Sequence, residues 1–323
     1  MPALATFELT KDFASGFWRK KLYRAVDRLT LEVAPGEVFG FLGPNGAGKT
    51  TTLKLLMQLV FPTSGRAELL GQPIGNRSVK RRIGYLPEQP YFYDYLTAEE
   101  LLSYFAALFG YRAADRRQRV DRLLDEVGIG QERRMPLRKF SKGMLQRVGI
   151  AQALINDPEL VIFDEPMSGL DPLGRRDVRS LILSLRDRGV TVFFSSHVLS
   201  DAEALCSRVA ILANGRLATT GRLSDMLAFQ IRGWEIVASG VNDRLLQSLQ
   251  TRATRLVRLG DGRCSIEVPP DVSPDRIVSE LSAGGAHLLT LNPIRDTLED
   301  FFVKQVAGTG GADRRAVSAG TAR

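Results

Sequence analysis

The sequence predicts an α/β fold built on a parallel sheet buried on both faces, followed by a small α+β domain. Three observations point there. Val38-Phe39-Gly40-Phe41-Leu42 is an apolar run that stops at Gly43, passes through GPNGAGKT and continues into a helix. Two more apolar runs, Leu160–Phe163 and Val190–Phe194, end in polar residues and precede helical spacing, as strands without a solvent face do. After Ile231 the pattern changes to shorter strands and amphipathic helices in βαββαβ order, which fits a ferredoxin-like two-layer domain.

The 323 residues suffice for two domains, and 44% hydrophobic with 25% charged residues is ordinary for a globular chain. No apolar stretch approaches the length of a membrane span, and Met1–Thr10 lacks the basic start and apolar core of a signal peptide. Cys206 and Cys264 have no metal-ligand spacing, and no disulfide framework is expected. They read as small buried apolar groups in a cytosolic chain. The net charge of +8 suits an anionic partner, but a solvated arginine-rich surface accounts for it, and nucleic acid is not expected.

Along the chain, Thr6–Thr10 and Leu29–Val33 read as strands, with Phe13–Tyr23 as a hairpin loop between them. Leu53, Leu56, Met57 and Val60 share one helical face after the glycine-rich loop. Ala67–Leu70 and Arg82–Leu86 are short strands. From about 97 to 140, Ala98–Tyr111 and Arg116–Val127 have apolar residues at helical spacing among many charges, so a helical insert divides the strand-rich parts. Beyond Ile231, Glu235–Val237, Thr254–Leu259, Cys264–Val268 and His287–Leu291 are strands. Arg244–Leu249, Asp275–Leu281 and Thr297–Val306 are helices. His287 reads as structural. Gly308–Arg323 is small and polar and reads as a disordered tail. The domains expected are therefore 1–230, 231–307 and a tail, 308–323.

Gly43–Thr50 fits the phosphate-loop pattern G-x-x-x-x-G-K-[ST]. Gly43, Gly46 and Gly48 let backbone N–H groups turn inward around an anion, and the helix that follows adds partial positive charge. Lys49 brings a full charge for the β- and γ-phosphates, and the Thr50 hydroxyl suits Mg²⁺. Asp164 closes an apolar strand, where a carboxylate can hold Mg²⁺ opposite Thr50; Glu165 is placed to orient an attacking water. Ser141 in FSKGM is a good N-cap for a helix running through Ala153, whose first turn makes a second anion site.

These elements together resemble the ATP-binding cassette (ABC) ATPases, over roughly Phe7 to Gly221. The resemblance implies a mixed-sheet core with an antiparallel β-subdomain and a helical insert. It implies that Gly43, Pro44, Asn45, Gly46, Ala47, Gly48, Lys49, Thr50 and Thr51 form the Walker A loop around ATP. Phe13 would stack on adenine, with Phe17, Trp18 or Tyr23 as alternatives in its long segment. Asp164 and Glu165 take the Walker B and catalytic positions, and His197 the H-loop position against the γ-phosphate. Ser168–Asp171 is the D-loop. FSKGM, with Ser141 and Gly143, replaces the usual LSGGQ signature. Tyr85–Glu88 reaches the Q-loop, where Glu88 stands in place of glutamine with Gln89 beside it, so either is the candidate Mg²⁺ ligand.

In this family the signature of one protomer covers the ATP of the other, so a dimer is implied. Separate integral membrane permeases are the expected partners, with this chain peripheral on the cytoplasmic face. Lys142 and Met144 depart from the signature in the manner of multidrug, polysaccharide and sodium exporters, so the expected function is ATP hydrolysis driving export. The rival readings are a soluble ABC ATPase acting on nucleic acid or ribosomes, and a regulatory module with little turnover.

Overall fold

The computed structural model describes residues 1–15, 21–226 and 231–295. The helix expected at Thr297–Val306, the tail, and Phe17 and Trp18 lie outside them. In chain order the first part contains β1 (Leu4–Ser15), β2 (Lys21–Val33), β3 (Val38–Leu42), α1 (Lys49–Leu56), β4 (Ser64–Leu69), β5 (Gln72–Pro73), α2 (Arg77–Lys80) and β6 (Ile83–Leu86). Next come α3 (Ala98–Leu108), α4 (Ala113–Glu126), α5 (Lys142–Ala153), β7 (Leu160–Asp164), α6 (Pro172–Asp187), β8 (Thr191–Ser196), α7 (Leu199–Leu205), β9 (Arg208–Ala213) and β10 (Arg216–Arg222). The described residues divide into two compact units, 1–223 and 224–295.

Among the described residues the first unit holds two sheets. One is antiparallel in order β2-β1-β4-β5; the other has order β10-β9-β3-β8-β7-β6 and is parallel except for the β9–β10 hairpin. Every residue of β3, β7 and β8 is buried, which explains their continuous apolar runs. Leu53, Leu55 and Leu56 of α1 share a core with Leu4, Leu29 and Leu31 of the antiparallel sheet and with Phe41, Ile162 and Phe193 of the parallel one. The helix is therefore held between two sheets, and its N-terminus is aimed by both.

Three details depart from the pattern reading. The described ends of the segment expected as a loop are strand: β1 runs on to Ser15, β2 begins at Lys21, and Phe13 pairs with Tyr23. α1 ends at Leu56, since Met57 caps it and Gln58 takes φ +55; Val60 packs on the core from the following loop. The β9–β10 hairpin was not anticipated. Within β9, Arg208 pairs with Glu37 at 2.9 Å and lies over the Phe39 ring.

The helical insert is α3 and α4 followed by a 3₁₀ turn at Leu137–Lys139. Thr97 and Glu100 close a capping box at the start of α3.

The second unit contains α8 (Leu223–Met226, at its border), β11 (Ile231–Ser239), α9 (Asp243–Leu249), β12 (Arg255–Leu259), β13 (Arg263–Val268), α10 (Pro274–Ala283) and β14 (His287–Arg295). The βαββαβ segment makes an antiparallel sheet in order β12-β13-β11-β14. Ile236, Ala238, Cys264, Ile266 and Val268 share its core with Leu249, Ile277 and Leu281 of α9 and α10. Pro293 is tolerated because β14 is an edge strand. His287 is exposed at the start of β14, and both cysteines are buried.

Candidate functional site

β3 delivers the chain to the phosphate loop at the carboxyl end of the parallel sheet, and β7 and β8 end beside it. The register pairs Asp164 of β7 with Ser195 of β8. A cavity of about 540 Å³ opens there, lined by Pro44, Asn45, Gly46, Gly48, Lys49, Thr50, Thr51, Glu88, Glu165, Ser168 and His197. Phe13, Tyr23 and Ala25 of the β1–β2 ribbon form one wall.

Gly48 shows why the loop needs glycine. It caps α1 at φ +106, and a Cβ there would overlap the Ala25 carbonyl. Lys49 is 5% exposed. Its Nζ donates to the Gly43 carbonyl at 2.7 Å and the Pro44 carbonyl at 3.3 Å, and lies 3.3 Å from Glu165 Oε1. His197 Nδ1 lies 2.8 Å from Glu165 Oε2. The Thr50 hydroxyl donates to Asp164 Oδ1 at 3.3 Å, and the Ser195 hydroxyl donates to the same oxygen at 2.7 Å. Ser195 Oγ also accepts from the Glu165 N–H at 2.9 Å, and Glu165 itself sits at φ +51.

Burial pushes the Asp164 carboxyl above its ordinary range; hydrogen bonds from Ser195 and Thr50 oppose this, while the charges of Glu88 and Glu165 reinforce it. Burial, together with the charge of Asp164, pushes the Tyr85 hydroxyl up to about 12. Asp164 Oδ2 is buried without a hydrogen-bond partner. An unpartnered buried carboxylate oxygen beside a hydroxyl and near Glu88 is a donor set of hard oxygens, which fits Mg²⁺.

The structure thus brings together Phe13, Pro44, Asn45, Gly46, Gly48, Lys49, Thr50, Thr51, Glu88, Glu165 and His197 around one cavity, with Gly43 and Ala47 in the loop behind it. Phe13 and Tyr23 both stand on its wall; Glu88 lines it and Gln89 does not. Ser141 and Gly143 do not line it either. Ser141 caps α5, its Oγ accepting from the Met144 N–H at 3.2 Å, and Gly143 packs near Leu170. Sequence reasoning assigned no role to Ser195. The available signal was a serine at the end of an apolar strand, two residues before His197.

This geometry defines a nucleoside-triphosphate site of the phosphate-loop class. A family model described as ABC transporter matches residues 26–168. An uncharacterized ABC transporter ATP-binding protein of Synechocystis sp. is 45% identical over 307 residues, covering 94% of this chain and 85% of that protein. The bacitracin transport ATP-binding protein BcrA of Bacillus licheniformis is 35% identical over 311 residues, covering 94% and 97%. The Nod factor export ATP-binding protein I of Cupriavidus metallidurans is 38% identical over 223 residues, covering 68% and 73%.

Among solved structures, an ATP-binding subunit of an ABC transporter superposes with a TM-score of 0.61 at 32% identity, covering 70% of this chain and 92% of that one. A dimeric bacterial ABC transporter cassette superposes with a TM-score of 0.63 at 25% identity, covering 68% and 98%.

The chain belongs to the ATP-binding proteins of the ABC transporter family. It is an ATP-binding ATPase of that family, and the α/β fold expected from the sequence is the one found. No helix among the described residues is long and apolar enough to cross a membrane.

Proposed function

We propose that this chain hydrolyses ATP as one of two head-to-tail cassettes and so drives export through separate membrane subunits. The supporting observation is a division of labour. Lys49, Thr50, Glu165 and His197 share one cavity, while Ser141 and Gly143 stand off it on the first turn of α5. A free helix N-terminus with its serine suits the phosphates of a second chain's nucleotide. Transport and export in the names of the relatives support the direction, and a dimeric cassette among the structural neighbours supports the pairing.

In this reading the loop amides and Lys49 hold the phosphates, and Phe13 or Tyr23 packs the base. Glu165 orients the attacking water and His197 holds the Glu165 carboxylate toward it. Thr50, Asp164 and Glu88 would hold Mg²⁺, which when bound neutralises charge on the phosphates. Residues 1–230 form the ATPase domain, with the insert at about 97–140 facing the membrane partner. Residues 231–307 form an accessory domain followed by a tail. The chain sits peripherally on the cytoplasmic face.

Fractionation with affinity purification tests this. The expected result is recovery with membranes together with a multi-span protein. RNase-sensitive sedimentation instead would overturn the transport reading. The purified chain should hydrolyse ATP, and Glu165→Gln should pair into stable dimers with ATP. A strictly monomeric Glu165→Gln chain in ATP and Mg²⁺ would overturn the two-cassette reading.

A further inference from the structure

Gln146 is 3% exposed on α5, where Val148, Gly149, Ile150, Ala151 and Ala153 are the other buried neighbours. A buried amide on an apolar face requires a hydrogen-bond partner. Its Nε2 donates to the Pro166 carbonyl at 3.0 Å. That carbonyl follows Glu165, whose φ of +51 lies in the left-handed region that residues with a Cβ seldom adopt. The N–H of Glu165 is held on the other side by Ser195 Oγ at 2.9 Å. The bend is therefore gripped at both ends, by Ser195 before it and by Gln146 after it.

The same helix touches the same loop again near its start. The Lys142 tail lies over Gly169, where a Cβ would displace it, and a Cβ on Gly143 would come within 3.4 Å of Leu170. Thus the loop that carries Glu165 and the turn that begins at Ser141 are packed as one piece.

Resting on the assignment of Glu165 to water orientation, we infer that Gln146 is a positioning residue for hydrolysis. Its amide anchors the strained Glu165 backbone to α5, so the aim of the carboxylate follows the helix that carries Ser141. Gln146 does not line the nucleotide cavity, so it acts through Glu165.

The test is Gln146→Met, which keeps length and removes the donor. ATP affinity and KM stay within about twofold while kcat falls about tenfold, as expected when a reacting group is misplaced rather than lost. In a Glu165→Gln background, under single-turnover conditions, the same substitution adds no further loss. Unchanged kcat, or equal losses in both backgrounds, overturns the inference. Should Gln146→Met not fold, Gln146→Asn shortens the reach and is read by the same cycle. Turnover of Glu165→Gln at the parent rate would instead overturn the assignment of Glu165, so the two failures are distinguishable.

Discussion

His197 Nδ1 meets Glu165 Oε2 at 2.8 Å while the other oxygen of that carboxylate faces Lys49 Nζ at 3.3 Å. One carboxylate is thus shared between a ring nitrogen at the end of β8 and the ammonium of the phosphate loop. Removing the imidazole leaves Lys49 as the neighbour that pulls on Glu165. His197→Ala is therefore expected to lower kcat by about 100-fold or more, the range of a lost proton-transfer or orienting group. ATP affinity should change little. Steady-state ATPase assays beside equilibrium ATP titration check the split; a loss confined to affinity would contradict it.

Gly48→Ala tests the cradle. The residue sits at φ +106, and the new methyl would overlap the Ala25 carbonyl. Backbone strain and overpacking together are expected to cost about 2–4 kcal/mol. Denaturant unfolding should show the loss, and ATP titration should show binding abolished, because the same amides face the phosphates.

Ser195→Ala removes the hydroxyl shared by Asp164 and the Glu165 N–H. Leaving buried polar groups without that partner is expected to cost about 1–3 kcal/mol. Both stability and kcat should fall, with ATP binding largely kept. A variant as stable and as active as the parent would show that the serine is dispensable.

Glu88 lines the cavity and Gln89 does not. Glu88→Ala is expected to raise the Mg²⁺ concentration for half-maximal ATPase at least about tenfold, since losing a ligand costs no less than losing a partner that orients one. Gln89→Ala should leave that concentration within about twofold. Magnesium titrations of both variants decide it, and the reverse order would move the role to Gln89.

Asp27 makes a pH prediction. Its carboxylate is held below the ordinary range, chiefly by the Arg216 guanidinium at 2.6 Å, with Arg24 and Arg28 also near. A depressed carboxylate pKa contributes stability above the unfolded value of about 3.9 and loses it as pH falls. The three arginines are more than half exposed, so water screens the attraction. Asp27→Asn is expected to cost about 1–2 kcal/mol at pH 7, with the gap to the parent closing as pH drops from about 5 toward 3. Unfolding midpoints across that range measure it; a constant gap would exclude the ion pairs as its source.

Much of this site was legible along the chain. β3, the glycine-rich turn and α1 are consecutive, so their order and apolar runs announce themselves. The β7 run ending in Asp164-Glu165 and the Ser141 N-cap are likewise local patterns. The β9–β10 hairpin carries a local signal that the pattern reading did not use: the apolar run Val209–Leu212 is followed by Asn214-Gly215, both at positive φ, as a two-residue hairpin turn requires. The early stop of α1 was missed because Met57 and Val60 continue the helical spacing although the chain has already turned at Gln58.

Periodicity, capping and the phosphate-loop spacing are properties of near neighbours, and from the residues alone they established the class of fold, the nucleotide loop and the acidic strand end. Strand register and packing decided the rest. They set Ser195 beside Asp164, Gln146 under Pro166, His197 against Glu165 and Glu88 rather than Gln89 on the cavity. These partners come from different parts of the chain, and the parallel sheet brings them together only once its strands are in register.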